Sequence, residues 1–304
     1  MAAQDRIRLR GRLRGAPAIA GALYLRIAAA SVSLVPTTIE PHVALEWIEQ
    51  VDASRGRTRA RDELAVEEPL EIRVDGQALA VAMRTPGEDE ELAVGFLAGE
   101  GLISGPEDVA SVGPTDDLAA NVVEVRTAHG LRRDPSSERR FSMTSACGVC
   151  GKAALEFVER EAPPTGPTPP VEPQLVLALP EAARAAQSGF ERTGALHATA
   201  VFEADGTLLV LREDVGRHNA VDKAVGALLL GGRYPLEGTI ACLSGRAGFE
   251  LIQKASVAGM AAVVSVGAPT TLAVRLARDR GLLLCGFVRG TSFNVYSGAD
   301  RLRQ

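Results

Sequence analysis

The sequence predicts an α/β protein, in which a three-layer α/β/α lobe follows a smaller N-terminal α+β lobe. Three observations carry that expectation. Beyond residue 195, apolar runs of strand length alternate with stretches of helical periodicity, the pattern of a sheet covered by helices. Ahead of them, Leu70–Val74 alternates apolar with polar residues, meets Asp75-Gly76 and returns through Ala78–Met83, which is a β-hairpin signature. Between the two lies a proline-rich stretch, residues 162–173, whose stiffness suits a connector.

At 304 residues and 46% hydrophobic, the chain can fill two ordinary domain cores. Its net charge of -5 argues against nucleic acid as a main partner. Four cysteines make no secreted disulfide framework, so a reducing, cytoplasmic setting is expected. Cys242 and Cys285 sit in the apolar runs Thr239–Leu243 and Leu282–Cys285 and read as small buried hydrophobes.

In chain order, residues 1–60 read as a poorly ordered leader. Asp5–Arg14 is basic, and the apolar run from Ala16 to Val35 is broken by Arg26, which spoils both a signal-peptide core and a membrane span. Ordered structure is expected to begin near Leu64, within an N-terminal lobe of residues 61–161. There Thr85 offers an N-cap and Pro86 a first helical residue, and Glu88, Asp89, Glu90 and Glu91 load the first turn of a helix ending at Gly101. Those carboxylates read as helix-dipole partners facing water. Asn121–Arg126 forms a strand, and a polar loop, His129–Arg140, leads on to the cysteines. In the second lobe, residues 174–304, strands are expected at Leu196–Phe202, Leu208–Leu211, Thr239–Leu243, Ala262–Val266 and Leu282–Val288. Helices are expected at Asn219–Leu230, Phe249–Ala258 and Thr271–Arg280. Such alternation implies a largely parallel sheet with ligands bound beyond the carboxyl ends of its strands.

The chemistry concentrates at Ser145-Ala146-Cys147-Gly148-Val149-Cys150-Gly151-Lys152. Two thiols at this spacing can chelate a metal, close a redox disulfide or carry sulfur as a persulfide, and each use needs a thiolate. Lys152 and a short amphipathic helix over residues 151–159 would favour that anion. In the second lobe the polar runs fall at strand ends: Arg212–Lys223, Ser244-Gly245-Arg246 and Arg289–Asn294. Gly245-Arg246 and Arg289-Gly290 each set a guanidinium beside a glycine, an arrangement suited to a phosphate. His218 and Asp222, four apart, read as an ordinary helix-surface pair, and His197 as a buried, satisfied imidazole. Of 33 basic residues only three are lysines, Lys152, Lys223 and Lys254, so each can mark a place that needs a compact point charge.

Structural zinc would call for a second Cys or His pair. A zinc deaminase would call for H-x-E before P-C-x-x-C, whereas here Ala146 precedes Cys147 and Thr199 follows His197 at the glutamate position. A thioredoxin-like enzyme would place its motif between a strand and a long helix. A carrier passing sulfur to a phosphate-bearing acceptor suits the sequence better; a zinc or C-x-x-C redox enzyme and a non-covalent cofactor chaperone stay open as alternatives.

Phe141–Lys152, Arg192–His197, Arg212–Lys223, Ser244-Gly245-Arg246 with Phe249-Glu250-Leu251, and Gly286–Gly290 with Asn294-Val295-Tyr296 together resemble the FdhD family of formate dehydrogenase accessory proteins. The likeness runs from about Glu63 to the C-terminus. It implies a cytidine-deaminase-like α/β lobe, although the zinc ligands are missing and no metal site is expected. It further implies a sulfurtransferase that accepts sulfur from a cysteine desulfurase as a persulfide. That sulfur would pass to the molybdenum of a bis-molybdopterin guanine dinucleotide cofactor before its insertion into formate dehydrogenase. By position, Cys147 carries the persulfide with Cys150 as its partner, and Phe287, Val288, Arg289, Gly290, Thr291 and Ser292 fall where the family binds the cofactor. A homodimer is implied as well. Thr291-Ser292 lacks a basic residue often found there, and Gly248 stands where serine is more usual.

Overall fold

The computed structural model describes residues 42–115, 121–132 and 170–303. The chain opens with β1 (Val43–Asp52) and β2 (Gly56–Ala65), an antiparallel two-stranded ribbon. Ordered structure therefore starts well before Leu64. Of the leader expected over residues 1–60, the part from residue 42 on is thus ordered, and residues 1–41, the cysteine segment and residues 162–169 of the connector lie outside the described residues.

A four-stranded sheet follows, built from β3 (Glu68–Val74), β4 (Gln77–Arg84), β5 (Val109–Pro114) and β6 (Val122–Thr127) in the order β4-β3-β6-β5. The β3–β4 hairpin turns at Asp75 and Gly76, both at positive φ, as a tight hairpin turn demands. Strand β5 was not foreseen. α1 (Asp89–Gly99) has Glu88 at its N-cap in the left-handed region, with no side-chain cap. The predicted Thr85 cap is thus overturned, because Thr85 is drawn into the core contact described below. Nor does the acidic first turn simply face water: Arg84 grips Asp89 through two hydrogen bonds of 2.8 and 2.9 Å, and Arg212 grips Glu91 at 2.6 and 2.8 Å.

The larger sheet has the order β12-β11-β10-β9-β7-β8. Its strands are β7 (His197–Phe202), β8 (Leu208–Asp214), β9 (Ile240–Leu243), β10 (Ala262–Ser265), β11 (Leu283–Arg289) and β12 (Ser292–Ser297). Only β9, β10 and β11 run parallel, joined through α5 (Phe249–Val257) and α6 (Thr271–Arg280). The sheet is thus mixed rather than largely parallel. Its physical reason is connection length: the Asp205-Gly206 turn and the Gly290-Thr291 turn are too short to cross over, so β7–β8 and β11–β12 are antiparallel neighbours.

α2 (Pro173–Ala185), unforeseen from sequence, covers one face of this sheet through Val176, Leu179 and Ala183. α4 (Arg217–Leu230), α5 and α6 cover the other, completing three layers, and their core runs on without a break into α1 and the four-stranded sheet. A short α3 (Ser188–Thr193) leads into β7. Where α1 crosses α4, two glycines set the separation. A methyl carbon at Gly95 would lie 1.8 Å from the Asp222 carbonyl oxygen, and one at Gly226 1.9 Å from that of Glu91. Among the described residues, no helix is long and apolar enough to cross a membrane.

Gly226→Ala should therefore destabilise the protein although alanine favours helix by about 1 kcal/mol. Forcing the two helices apart should cost a net ~2–3 kcal/mol in urea unfolding. An unchanged midpoint would show that the α1–α4 contact does not carry the join.

Candidate functional site at the strand ends

β9, β10 and β11 end on one edge of the large sheet, where β7 begins and β8 ends, because His197 pairs with Asp214 and Thr199 with Leu243. α4, α5 and α6 all start from this edge, with Gly216, Gly248 and Thr270 as their N-cap residues. Three helix N-termini on one edge make it electropositive. Arg217 opens α4 half-buried, while Arg246 and Arg289 stand exposed on the loops after β9 and β11.

Those loops are fixed by backbone bonds. The Gly267 N–H donates to the Gly245 carbonyl at 3.2 Å, Phe287 N–H to Gly267 at 3.0 Å, and Thr270 N–H to Ala247 at 3.2 Å. They pack closely enough that a methyl carbon at Gly286 would stand 2.9 Å from Pro269. β11 bulges between Gly286 and Arg289, and Phe287 is held at φ 53°, a left-handed conformation that costs a non-glycine residue free energy. Its ring is turned partly outward, with the Arg289 guanidinium 5.8 Å from the ring centre.

α4 starts on a buried joint. Asp214, fully buried, accepts from the backbone N–H groups of Thr85 at 3.1 Å and Gly216 at 2.8 Å, from Asn219 Nδ2 at 2.8 Å, and faces Lys223 Nζ at 3.0 Å. Lys223 also donates to the Thr85 carbonyl at 2.8 Å, and Thr85 Oγ1 accepts from Val215 N–H at 3.1 Å. One turn on, His218 Nε2 lies 2.9 Å from Glu250 Oε2, with both side chains buried; the second oxygen, Oε1, accepts no hydrogen bond among the described residues. Asp222 receives Lys254 Nζ at 2.8 and 3.0 Å. Burial pushes the Asp222 carboxyl up to about 6 against the pull of Lys254. Burial works against the charge of Lys254 too, but Asp222 and Glu100 outweigh it and hold the ammonium above its ordinary range.

His218 and Asp222 are accordingly not a helix-surface pair: each faces a partner on α5. His197 is half-buried rather than satisfied, with no hydrogen-bond partner among the described residues, and its imidazole is held below the ordinary range by burial first, then by Arg217 and His218. Lys223 and Lys254 both neutralise buried aspartates. The scarcity of lysine was the one sequence signal that could have found those pairs. Arg212, by contrast, is turned toward Glu91 on α1.

Of the other residues singled out from sequence, Cys147, Cys150 and Lys152 lie outside the described residues. Phe287, Arg289, Gly290, Thr291 and Ser292 are exposed at the β11–β12 tip, on the same edge as Gly245-Arg246, whereas the Val288 side chain is buried against the α2 face of the sheet. Cys242 and Cys285 are buried in that same layer, which pushes both thiols up to about 12. A thiol so protected is a poor nucleophile.

Comparison with known proteins adds the following. Residues 65–303 match the model of the FdhD/NarQ family. A protein named sulfur carrier protein FdhD, from Streptomyces coelicolor, is 51% identical over 251 residues, covering 79% of this chain and 89% of the relative. Its namesake from Anaeromyxobacter dehalogenans is 49% identical over 257 residues, covering 80% and 89%. The crystal structure of a proposed formate dehydrogenase accessory protein from Desulfotalea psychrophila superimposes with a TM-score of 0.71 at 22% identity, covering 86% of this chain and all of the other, and so shares the fold.

The causes acting on His197 can be separated by NMR titration. Its midpoint should lie below the ordinary histidine value of about 6.5, and Arg217→Gln should raise it only part of the way back, since burial remains. A wild-type midpoint at or above the ordinary value would contradict the burial of this imidazole.

Proposed function

The chain belongs to the FdhD/NarQ family, and from that premise we propose that it is a sulfur carrier required for formate dehydrogenase activity. A cysteine desulfurase presents sulfur as a protein-bound persulfide. The Cys147 thiolate attacks the terminal sulfur; a new S–S bond forms, the donor's S–S bond breaks, and the donor cysteine leaves as thiolate, with no net oxidation. Cys150 is the partner thiol. The carrier, acting as a sulfurtransferase, then delivers the sulfur to its substrate, the molybdenum of the bis-molybdopterin guanine dinucleotide cofactor, before the cofactor enters formate dehydrogenase. The Cys150 thiolate attacks Cys147 Sγ, a Cys147–Cys150 bond forms, the persulfide S–S bond breaks, and the outer sulfur leaves at the sulfide level, the two thiols supplying the two electrons.

The observation that carries this reading is the convergence of three helix N-termini and the cations Arg217, Arg246 and Arg289 on one sheet edge. Such an edge suits a ligand with several phosphates. Phe287 and Arg289 supply an aromatic face and a fork donor for the guanine dinucleotide tail, and the β11–β12 tip offers backbone amides at Gly290 and Thr291. The neutral, half-buried His197 beside the Gly245 loop can accept a hydrogen bond without adding a charge to be desolvated. The rigid packing of the loops at Gly245, Gly267 and Gly286 keeps these groups in place before the ligand arrives.

Cys147→Ala should abolish formate dehydrogenase maturation in cells lacking the native gene while the purified variant keeps its unfolding midpoint; full maturation would remove the persulfide role. Arg289→Ala should weaken guanine nucleotide binding about ten-fold in a calorimetric titration, the scale of one charge-assisted hydrogen bond. Equal affinities for variant and parent would place the nucleotide elsewhere.

A further inference from the structure

The ribbon of β1 and β2 stands largely clear of the rest of the described chain. Its register sets Leu45, Trp47, Glu49 and Val51 opposite Glu63, Arg61, Arg59 and Arg57 on one face. Leu45, Trp47 and Val51 are 56%, 57% and 66% exposed. The Arg59 and Arg61 guanidiniums lie 4.5 and 5.1 Å from the Trp47 ring centre, so the indole is flanked by cations. Among the described residues, neither outer edge of the ribbon is hydrogen-bonded to a third strand. At its base Glu63 is held by Arg192 at 2.9 Å, and Glu49 faces Arg57 at 3.6 Å, which leaves the arginine row in excess on this face. The opposite face instead pairs Glu46 with Asp62.

We propose that the Trp47 face is a docking surface for a partner protein whose contact region is acidic around an apolar patch. Tryptophan and arginine are the residues that most often anchor protein interfaces, and the guanidinium row selects for carboxylates. A second copy of this chain fits poorly: Glu49 and Glu63 of this face are already paired, so a two-fold contact would bring together two faces with the same surplus of cations, and stacking basic face on acidic face would not close. A nucleic acid fits no better, since residues 43–65 hold four arginines against five carboxylates and offer no net attraction to a polyphosphate. The occupant follows from the function proposed above, on which this inference rests. A protein-bound persulfide is transferred only in direct contact, so the sulfur-donating enzyme needs a docking surface on the carrier itself.

The test follows sulfane sulfur loaded onto the full-length chain by a purified cysteine desulfurase with cysteine, as desulfurase concentration is varied. Arg59→Glu with Arg61→Glu, and separately Trp47→Ala, should each raise the half-saturating concentration at least about ten-fold. Loading by inorganic polysulfide should stay unchanged. The exposed arginine positions keep the test valid if Trp47→Ala disturbs the ribbon. Half-saturation unchanged in the charge-reversed variant overturns the docking surface and leaves the carrier reading standing. Loading of the parent by polysulfide but not by desulfurase removes the proposed occupant; no loading from either donor removes the carrier reading and this inference together.

Discussion

Asp214 is the joint on which the strand-end edge depends. A carboxylate with no exposure is stable only when its oxygens are fully engaged, and here two backbone N–H groups, an asparagine and a lysine engage them. Breaking such a pair by removing one partner costs about 3–5 kcal/mol, a large share of the stability of an ordinary domain. Because Thr85 belongs to the link between β4 and α1 and Lys223 to α4, the joint locks the N-terminal sheet to the helix that opens on the candidate site. Arg217 and His218 take their places from that fixed start. His218 then meets Glu250 at the first turn of α5, so two helix N-termini are held in register with each other.

Electrostatics at this edge follow from the same arrangement. Negative charge is kept beneath it, in Asp214, Asp222 and Glu250, and each of these carboxylates faces a cation or an imidazole on a neighbouring element. Positive ends of helices and the exposed Arg246 and Arg289 are left uppermost. An anionic ligand approaching the edge thus meets donors already oriented, and its binding need not first rearrange the protein.

Much of the fold was legible because β7, β9, β10 and β11 are buried on both faces and therefore appear as unbroken apolar runs. β12 escaped because Ser292–Ser297 lies at a sheet edge and mixes polar with apolar residues, and β1 and β2 because charged residues interrupt both strands and their apolar side chains meet no core. Thr85-Pro86 carries every local sign of a helix start, yet a tertiary hydrogen bond to Asp214 claims its backbone. His218 and Asp222 looked like surface residues for a related reason: α4 is buried nearly all round, and the partners that permit this, Glu250 and Lys254, lie about 30 residues away in sequence. Only the rarity of lysine hinted at such pairs. The strand-end loops were legible in position, since glycine and arginine follow strand ends, but their order along a mixed sheet depended on turns too short to cross over.

The central claim, that this chain carries sulfur on its C-x-x-C motif, is tested most directly by intact mass measurement of the purified protein after incubation with a cysteine desulfurase and cysteine. The account predicts a gain of sulfur that a reductant removes and that is lost when Cys147 is replaced. An unaltered mass, or a tightly held zinc ion in place of the sulfur, would contradict it.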